Sequence, residues 1–496
     1  MIKVWTKFRQ HEQGFVLPLA LVLLAAITLL GFSAVFLASN QQTLGQRIAS
    51  NEKALHYAEA GIHAYLGHVN KRQNVEWTDW DIPIPFEDGF YRLEKVENEG
   101  EKATSLVRRI RSTGWVKGHE ESARTIEVEI GRVAFNQYSM FSGTDKDIVW
   151  TTGEKCYGPY HTNETLNING DPVFYGPVTY ATGLNIERGS PTFKQGHKQV
   201  PPIEVPESNY QLKERAAEGG HVYYGRTRIL LTGSSYKVKY FNEKGQEVLE
   251  TKPLPENGVI YIDAGKGQVK NYNNKFDQNL GNLFIAGELS GNLTIGAAND
   301  IYITGYDPTV DQWNTAKNQP KPSSSQQGLV YRNTTFYPVD GNGNPTNNDN
   351  KVVGFNADTT KGDDLLGLVA NNKIRILGRG WFNNPNPDAW WLLGVWIGDP
   401  EFDVAPENIT IHGAVFSINE GFGYESYEVH KKGTITLRGS LIQKTRQPVG
   451  KVNGTGYTKN YGHDPRMLEA SPPHFPEPLN TGWEIKKWIV DPVETR

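Results

Sequence analysis

Between His430 and Arg466 the chain carries Lys431, Lys432, Arg438, Lys444, Arg446, Lys451, Lys459 and Arg466 against Asp464 alone, with Tyr457 and Tyr461 interleaved. Cations neutralise phosphates and aromatic rings stack on bases, so this pairing suits sequence-tolerant nucleic-acid binding. An acidic glycan would be attracted equally well. The same residues also suit a solvated basic face or a set of internal ion pairs. The whole chain is acidic, with a formal net charge of -4 over 496 residues, which excludes a general nucleic-acid footprint and makes any such contact local.

A second constellation lies in DGNGNPTNNDNK, where Asp340, Asn342 and Asn344 alternate as in a calcium loop and Asp349 follows. Lys351 stands where a bidentate Glu would close an EF-hand, so the loop reads either as a calcium site or as a solvated turn. Calcium is the one cofactor the sequence raises. Catalysis by a sugar-active solenoid needs clustered carboxylates, but Asp300, Asp307, Asp363, Asp364, Glu401 and Asp403 are scattered among turns, where Asp is expected in any case. With no HExxH, GxSxG, P-loop or paired CxxC, the chain reads as a non-enzyme. Cys156 is the only cysteine, so no intrachain disulfide can form.

The elements that position these residues begin with an apolar run without a charge, Gly14 to Ala38, behind a leader holding Lys3, Lys7 and Arg9 against Glu12. A helix of about 20 residues at about 1.5 Å rise crosses a bilayer. The basic leader keeps its own side cytoplasmic and sends the rest outward. Leu44, Ile48, Leu55, Ile62, Leu66 and Val69 continue at helical spacing, predicting one helix from residue 15 to about 72, with 15–38 in the membrane.

The Gly14–Phe15 junction ahead of this run resembles a type IV pilin (class III) leader, which implies cleavage between the two residues by a prepilin peptidase. Pilins commonly carry Glu at the fifth mature position; here that position is Leu19, a departure that resembles filament-capping minor pilins and secretion pseudopilins. ALHYAEAGIHAYL, residues 54–66, is similar to the AEAG stretch of PilX-type N-terminal regions, whose small residues imply close approach of a sheet or sister helices.

After a Trp- and Pro-rich connector, Gly89–Val96, Ser105–Gly114 and Glu121–Val133 read as an antiparallel meander within a small sheet domain, 75–135. In its last strand Ile126, Val128 and Ile130 alternate with Thr125, Glu127 and Glu129. From 136 to 478, short alternating segments closed by Gly, Asn or Asp recur, as in NGDPVFYGPVTY and GNLTIGAANDIYITG. This cadence suits a β-solenoid better than a sandwich. Trp381, Trp390, Trp391 and Trp396 crowd one stretch that reads as a cap on a coil. The fold class expected is therefore α+β and mainly β: a long transmembrane and amphipathic helix, a small antiparallel sheet and a large solenoid-like head.

DDLLGLVANNKIRI, TITLRGSLIQKTRQPVG and GYTKNYGHDPRMLEASPPHFP resemble a family of large pilin-like surface proteins with no established activity. The overall plan is similar to the ComZ-type minor pilins, tip subunits with a solenoid inserted in the pilin head. That plan implies that the tail, 479–496, sends Trp483–Val490 back to the small sheet. The function so implied is a minor pilin at a filament tip, with DNA capture or surface adhesion by the head. A secretion pseudopilin contacting cargo and a membrane-anchored polysaccharide enzyme are the alternatives. Expected partners are sister pilins along the helix, the prepilin peptidase, the inner membrane, and DNA or glycan. The expected location is the cytoplasmic membrane before assembly, with the head outside it, and then the cell surface.

Overall fold

The computed structural model describes residues 16–71, 77–96, 106–310, 328–378, 391–392, 395–396, 404–452, 454–479 and 482–491. The leader, the Gly14–Phe15 junction, Trp381, Trp390, Glu401 and Asp403 lie outside them. The chain forms two compact units, one of residues 1–100, 108–131 and 483–496, the other of 101–107 and 132–482. Both are discontinuous, and nearly all of the second, 132–482, is inserted between segments of the first.

In the first unit, helix α1 spans Val16–Lys71. It is the one helix among the described residues long and apolar enough to cross a membrane. Its buried residues begin only at Ser50 and continue through Ala54, Tyr57, Ala58, Gly61, Ile62, Tyr65 and Val69, at intervals of three and four that keep one face toward a sheet. Leu44 and Ile48, which share the sequence stripe, are 59% and 51% exposed. The sheet runs in the order β1 (Ile84–Phe86), β2 (Gly89–Lys95), β3 (Val107–Val116), β4 (His119–Arg132) and then the C-terminal strand Trp483–Val490. β1 falls inside the segment that reads as a connector. Ile126, Val128 and Ile130 are fully buried against α1 and their alternating neighbours are not.

Small residues set the helix–sheet distance. A Cβ on Gly114 would lie 2.2 Å from the carbonyl oxygen of Ala54, and one on Gly61 would lie 2.4 Å from Ser112 Oγ. The AEAG stretch thus brings backbone close to backbone. The C-terminal strand is fastened at both ends. Asn70 donates to the Trp483 carbonyl at 3.0 Å and accepts from its N–H at 2.7 Å, while Asp491 accepts from Arg124 Nε at 2.7 Å and from the Thr125 N–H at 3.1 Å.

The second unit is a solenoid of mostly parallel strands. Its winding order differs from its sequence order. On one face the registers join His221 to Ile260, Ile295, Leu368, Val415, Leu441, Met140, Tyr160, Val178 and His197. The chain therefore enters in the middle at Met140, winds outward to Gln199, crosses to the far end near His221, and winds back until Leu441 pairs with Met140. The outward arm is regular: side chains one coil apart are separated by 18 or 19 residues. The returning arm is not, with coil neighbours 73 residues apart at Asn299 and Asn372.

From Ile260 through Met140 to Tyr160 this face is buried on both sides. Ile260, Ile295, Leu368 and Val415 point into the coil interior, while Tyr261, Leu365, Val369 and Phe416 pack under helix α2 (Tyr210–Gly219), Phe135, Met467 and Phe475. Parallel strands covered on both faces need apolar residues at every position. That is why Leu365–Ala370 reads LLGLVA and is buried throughout. The long strands Ile409–Ser417 and Lys431–Thr445 turn a corner of the coil at Gly413 and Gly439, with φ of 140° and 153°. A Cβ on Gly439 would strike the Gly413 carbonyl oxygen at 1.9 Å, so stacked glycines make the bend.

Candidate functional site

The strand Lys431–Thr445 and its neighbour Gly456–His463 carry the basic run, and pairing in a coil separates residues that are adjacent in sequence. Arg446 turns into the coil interior, 4% exposed. Its Nη1 lies 3.9 Å from Asp145 Oδ2, its Nη2 lies 3.7 Å from Glu154 Oε1, and its guanidinium sits 4.7 Å above the Trp150 ring. Lys459 binds the same Glu154 at 2.7 Å. Asp145 in turn accepts from Ser142 Oγ and from Tyr160 Oη, both at 2.6 Å. Burial alone would lower the Arg446 pKa, yet Asp145 and Glu154 hold it above the usual arginine range. Burial would likewise raise Glu154, and Lys459 and Arg446 draw it down instead.

Every carboxylate of this cluster belongs to the outward arm and every cation to the returning one, so it bridges the seam where Met140 meets Leu441.

Arg438 is also buried, at 7% exposure, and has no acidic partner among the described residues. It donates to the Leu437 and Asn460 carbonyls at 3.0 and 2.8 Å, and the Phe355 ring lies 3.7 Å from its guanidinium. Phe355 comes from the hairpin Thr335–Val339 with Gly354–Asp358. Burial lowers Arg438 to about 10. Arg466 pairs with Asp464 at 2.5 Å and with Asp363. Lys432 Nζ donates to the Ala405 carbonyl at 2.6 Å, and Lys451 pairs with Glu428 at 2.6 Å. Lys431 and Lys444 face solvent. Tyr457 is buried and donates to the Pro406 carbonyl, and Tyr461 packs against the coil core. The geometry brings Arg446 and Lys459 together on Glu154, engages Arg438, Arg466 and Lys432 in contacts of their own, and leaves Lys431, Lys444, Lys451 and Lys459 on the surface.

The remaining candidates are local. Asp340 accepts from the N–H groups of Asn342 and Asn344 at 2.9 and 3.0 Å, closing its own turn at the tip of the hairpin, with Asp349 further along the same tip. No group of three or more His, Cys, Asp or Glu side chains among the described residues could hold a metal ion. The scattered carboxylates brace turns. Asp300 accepts from the Lys373 N–H and from Tyr302 Oη, both at 2.9 Å; Asp307 accepts from the Thr309 N–H at 2.9 Å; buried Asp364 accepts from the N–H groups of Gly291 and Asn333 at 2.8 and 2.7 Å. Burial pushes the Cys156 thiol up to about 12, which leaves it protonated and inert. Trp391 pairs with Trp396 in a short hairpin. Leu19 lies on the uncovered part of α1 and is 50% exposed.

Sequence inspection missed Asp145 and Glu154, the partners of the basic run. The available signal was the repeat of Tyr-Gly-Pro at 157–159 and 175–177, which sets the coil length and hence what stacks on what. Tyr157 and Tyr175 stack at 5.0 Å with an interplanar angle of 9°.

Residues 90–183 match a family model described as a domain of unknown function (DUF4900). No curated protein matches the sequence. Among solved structures, the competence-associated pilin ComZ from Thermus thermophilus aligns over 89% of this chain and 97% of its own, at 9% identity and a TM-score of 0.22.

Proposed function

We propose that this chain is a membrane-anchored, pilin-like filament subunit with a binding role, whose inserted solenoid is carried outside the cytoplasmic membrane. The observation that carries the reading is α1. The sheet covers it from Ser50 onward, whereas the apolar stretch from Val16 to Leu37 packs against nothing among the described residues. A bare apolar helix of that length is at home only in lipid or among like helices. The stripe continues through Leu44 and Ile48, above the apolar stretch, where water-facing side chains suit helices of sister subunits. On this reading a prepilin peptidase cuts between Gly14 and Phe15, and Leu19 suits a subunit at the filament tip, where no neighbour's amino terminus has to be matched.

Capture of nucleic acid by the basic run draws little support from its geometry, since only Lys431 and Lys444 face solvent without an ion pair or a carbonyl partner. The head's ligand is better sought elsewhere on the solenoid.

The test is expression of the full chain with its peptidase, followed by mass spectrometry of the membrane fraction. The expected mature protein begins at Phe15, resists carbonate extraction, and accumulates as uncut precursor in Gly14→Val. A chain that keeps Met1, or a Gly14→Val variant processed normally, would sink the pilin reading.

A further inference from the structure

The two ends of the solenoid are finished differently. At the far end His221 is covered: its Nδ1 lies 2.6 Å from the hydroxyl of Tyr236, a fully buried residue of the antiparallel strands Thr227–Gly233, Ser235–Phe241 and Glu247–Pro253. At the other end the last coil, Gly183 to Gln199, has no buried residue. Its strands Gly183–Arg188 and Thr192–Phe193 each end their sheet, and His197–Gln199 pairs with Val178–Tyr180. Ile186 stacks in register on fully buried Ile168, the residue that Trp150 pairs with one coil further in, yet is itself 43% exposed. An unfinished coil leaves both an apolar core and a row of strand amides and carbonyls in water, which soluble proteins normally cover.

We infer that this open end is a docking site for an extended acidic segment of another protein, which adds a strand to Gly183–Arg188 and covers Ile186. Charge selects the occupant. The coil holds Arg188, Lys194 and Lys198 against Glu187, and the Glu187 carboxylate is already engaged by the Asn169 amide at 2.8 Å. A second copy stacked end to end would set these cations against themselves, so the same charges that attract an acidic strand oppose self-association. A nucleic acid would meet the cations but leave Ile186 and the strand edge without partners. Main-chain hydrogen bonds would supply affinity, and alternate side chains specificity, as in other strand-addition complexes. The inference concerns the head alone and does not depend on how α1 is anchored.

The experiment uses the full chain in detergent micelles and fluorescein-labelled ten-residue probes: alternating Val and Glu, alternating Val and Lys, and a single-stranded DNA of equal negative charge. The acidic peptide should bind at least about tenfold more tightly than the basic one. Its binding should protect the amides of 183–199 from hydrogen exchange. Ile186→Asp should weaken it about tenfold, and the double change Arg188→Glu with Lys198→Glu should reverse the preference between peptides. All these positions are exposed, so the variants should keep the wild-type circular dichroism and melting profile. Equal binding of both peptides, protection located elsewhere, DNA binding at this coil in place of the acidic peptide, or self-association abolished by Ile186→Asp would each overturn the proposal.

Discussion

The inward ladder of the solenoid begins and ends on histidine, and the two histidines have opposite fates. His221 lies under Tyr236 and three antiparallel strands, whereas His197 faces water beside Tyr180 and Phe193. The difference teaches how a stack of coils can stop. Each coil covers the one before it, so the last is always deficient, and the deficiency is met by a foreign element at one end and by short, charged edges at the other. Between the ends lies a third kind of junction, the seam where the two arms meet. There buried Arg446 meets Asp145 and Glu154 beside the core residues Met140, Trp150, Tyr160 and Leu441, and Lys459 reaches Glu154 from the exposed rim.

Removing the cap should have the largest effect. Tyr236→Ala deletes a buried ring and uncovers His221, and should cost about 3–5 kcal/mol in urea unfolding; His197→Ala at the open end should change stability by no more than about 0.5 kcal/mol. Equal losses at both ends would abolish the distinction between them. The seam should fall next. Asp145→Asn leaves Arg446 with Glu154 alone and weakens the charged hydrogen bonds from Ser142 and Tyr160, at about 2–3 kcal/mol. Trp150, face-on to Arg446, should report that loss by its fluorescence before residues of the returning arm exchange their amides. Simultaneous loss everywhere would mean that the arms do not unfold as separate parts.

How much of this was legible in the chain depends on how far apart the partners lie. The pattern of β4 gave its inward residues Ile126, Val128 and Ile130, because alternation is local. The return of Trp483–Val490 to β4, hundreds of residues away, has no local signal in the sequence and is implied only by the resemblance to solenoid-bearing pilins. The basic run could not be read so directly. Lys459 and Glu154 are 305 residues apart, and whether eight cations form a surface patch or an interior clamp depends on which coil stacks on which. That order is invisible to periodicity, since the chain enters the solenoid in the middle. The stripe on α1 is an intermediate case: its spacing is plain, but the start of burial at Ser50 follows from where Gly61 and Gly114 let the sheet come in.

Acid should sharpen the contrast between arms. Burial holds His412 of the returning arm down to about 3, and His221 is lowered in the same direction by burial and then by Lys252. A histidine whose folded pKa lies below its unfolded value of about 6.5 carries no penalty above that pH. As pH falls below it the unfolded chain takes up the proton first, and each such group costs up to about 1.4 kcal/mol per pH unit until its folded pKa is reached. The returning arm should therefore lose stability between about pH 6 and 4, and His412→Gln should flatten that slope by one proton. His463 of the same arm is lowered by burial as well, so His412→Gln should reduce the slope without removing it; an unchanged slope would mean that His412 is charged in the folded chain, and only His161 adds a like cost in the outward arm. The smallest effect belongs to Lys431 and Lys444. Because they face solvent, Lys431→Gln with Lys444→Gln should leave stability within about 0.5 kcal/mol of wild type, whereas Lys459→Gln at the seam should cost more; an inverted order would return the basic run to the surface and reopen it as a binding face.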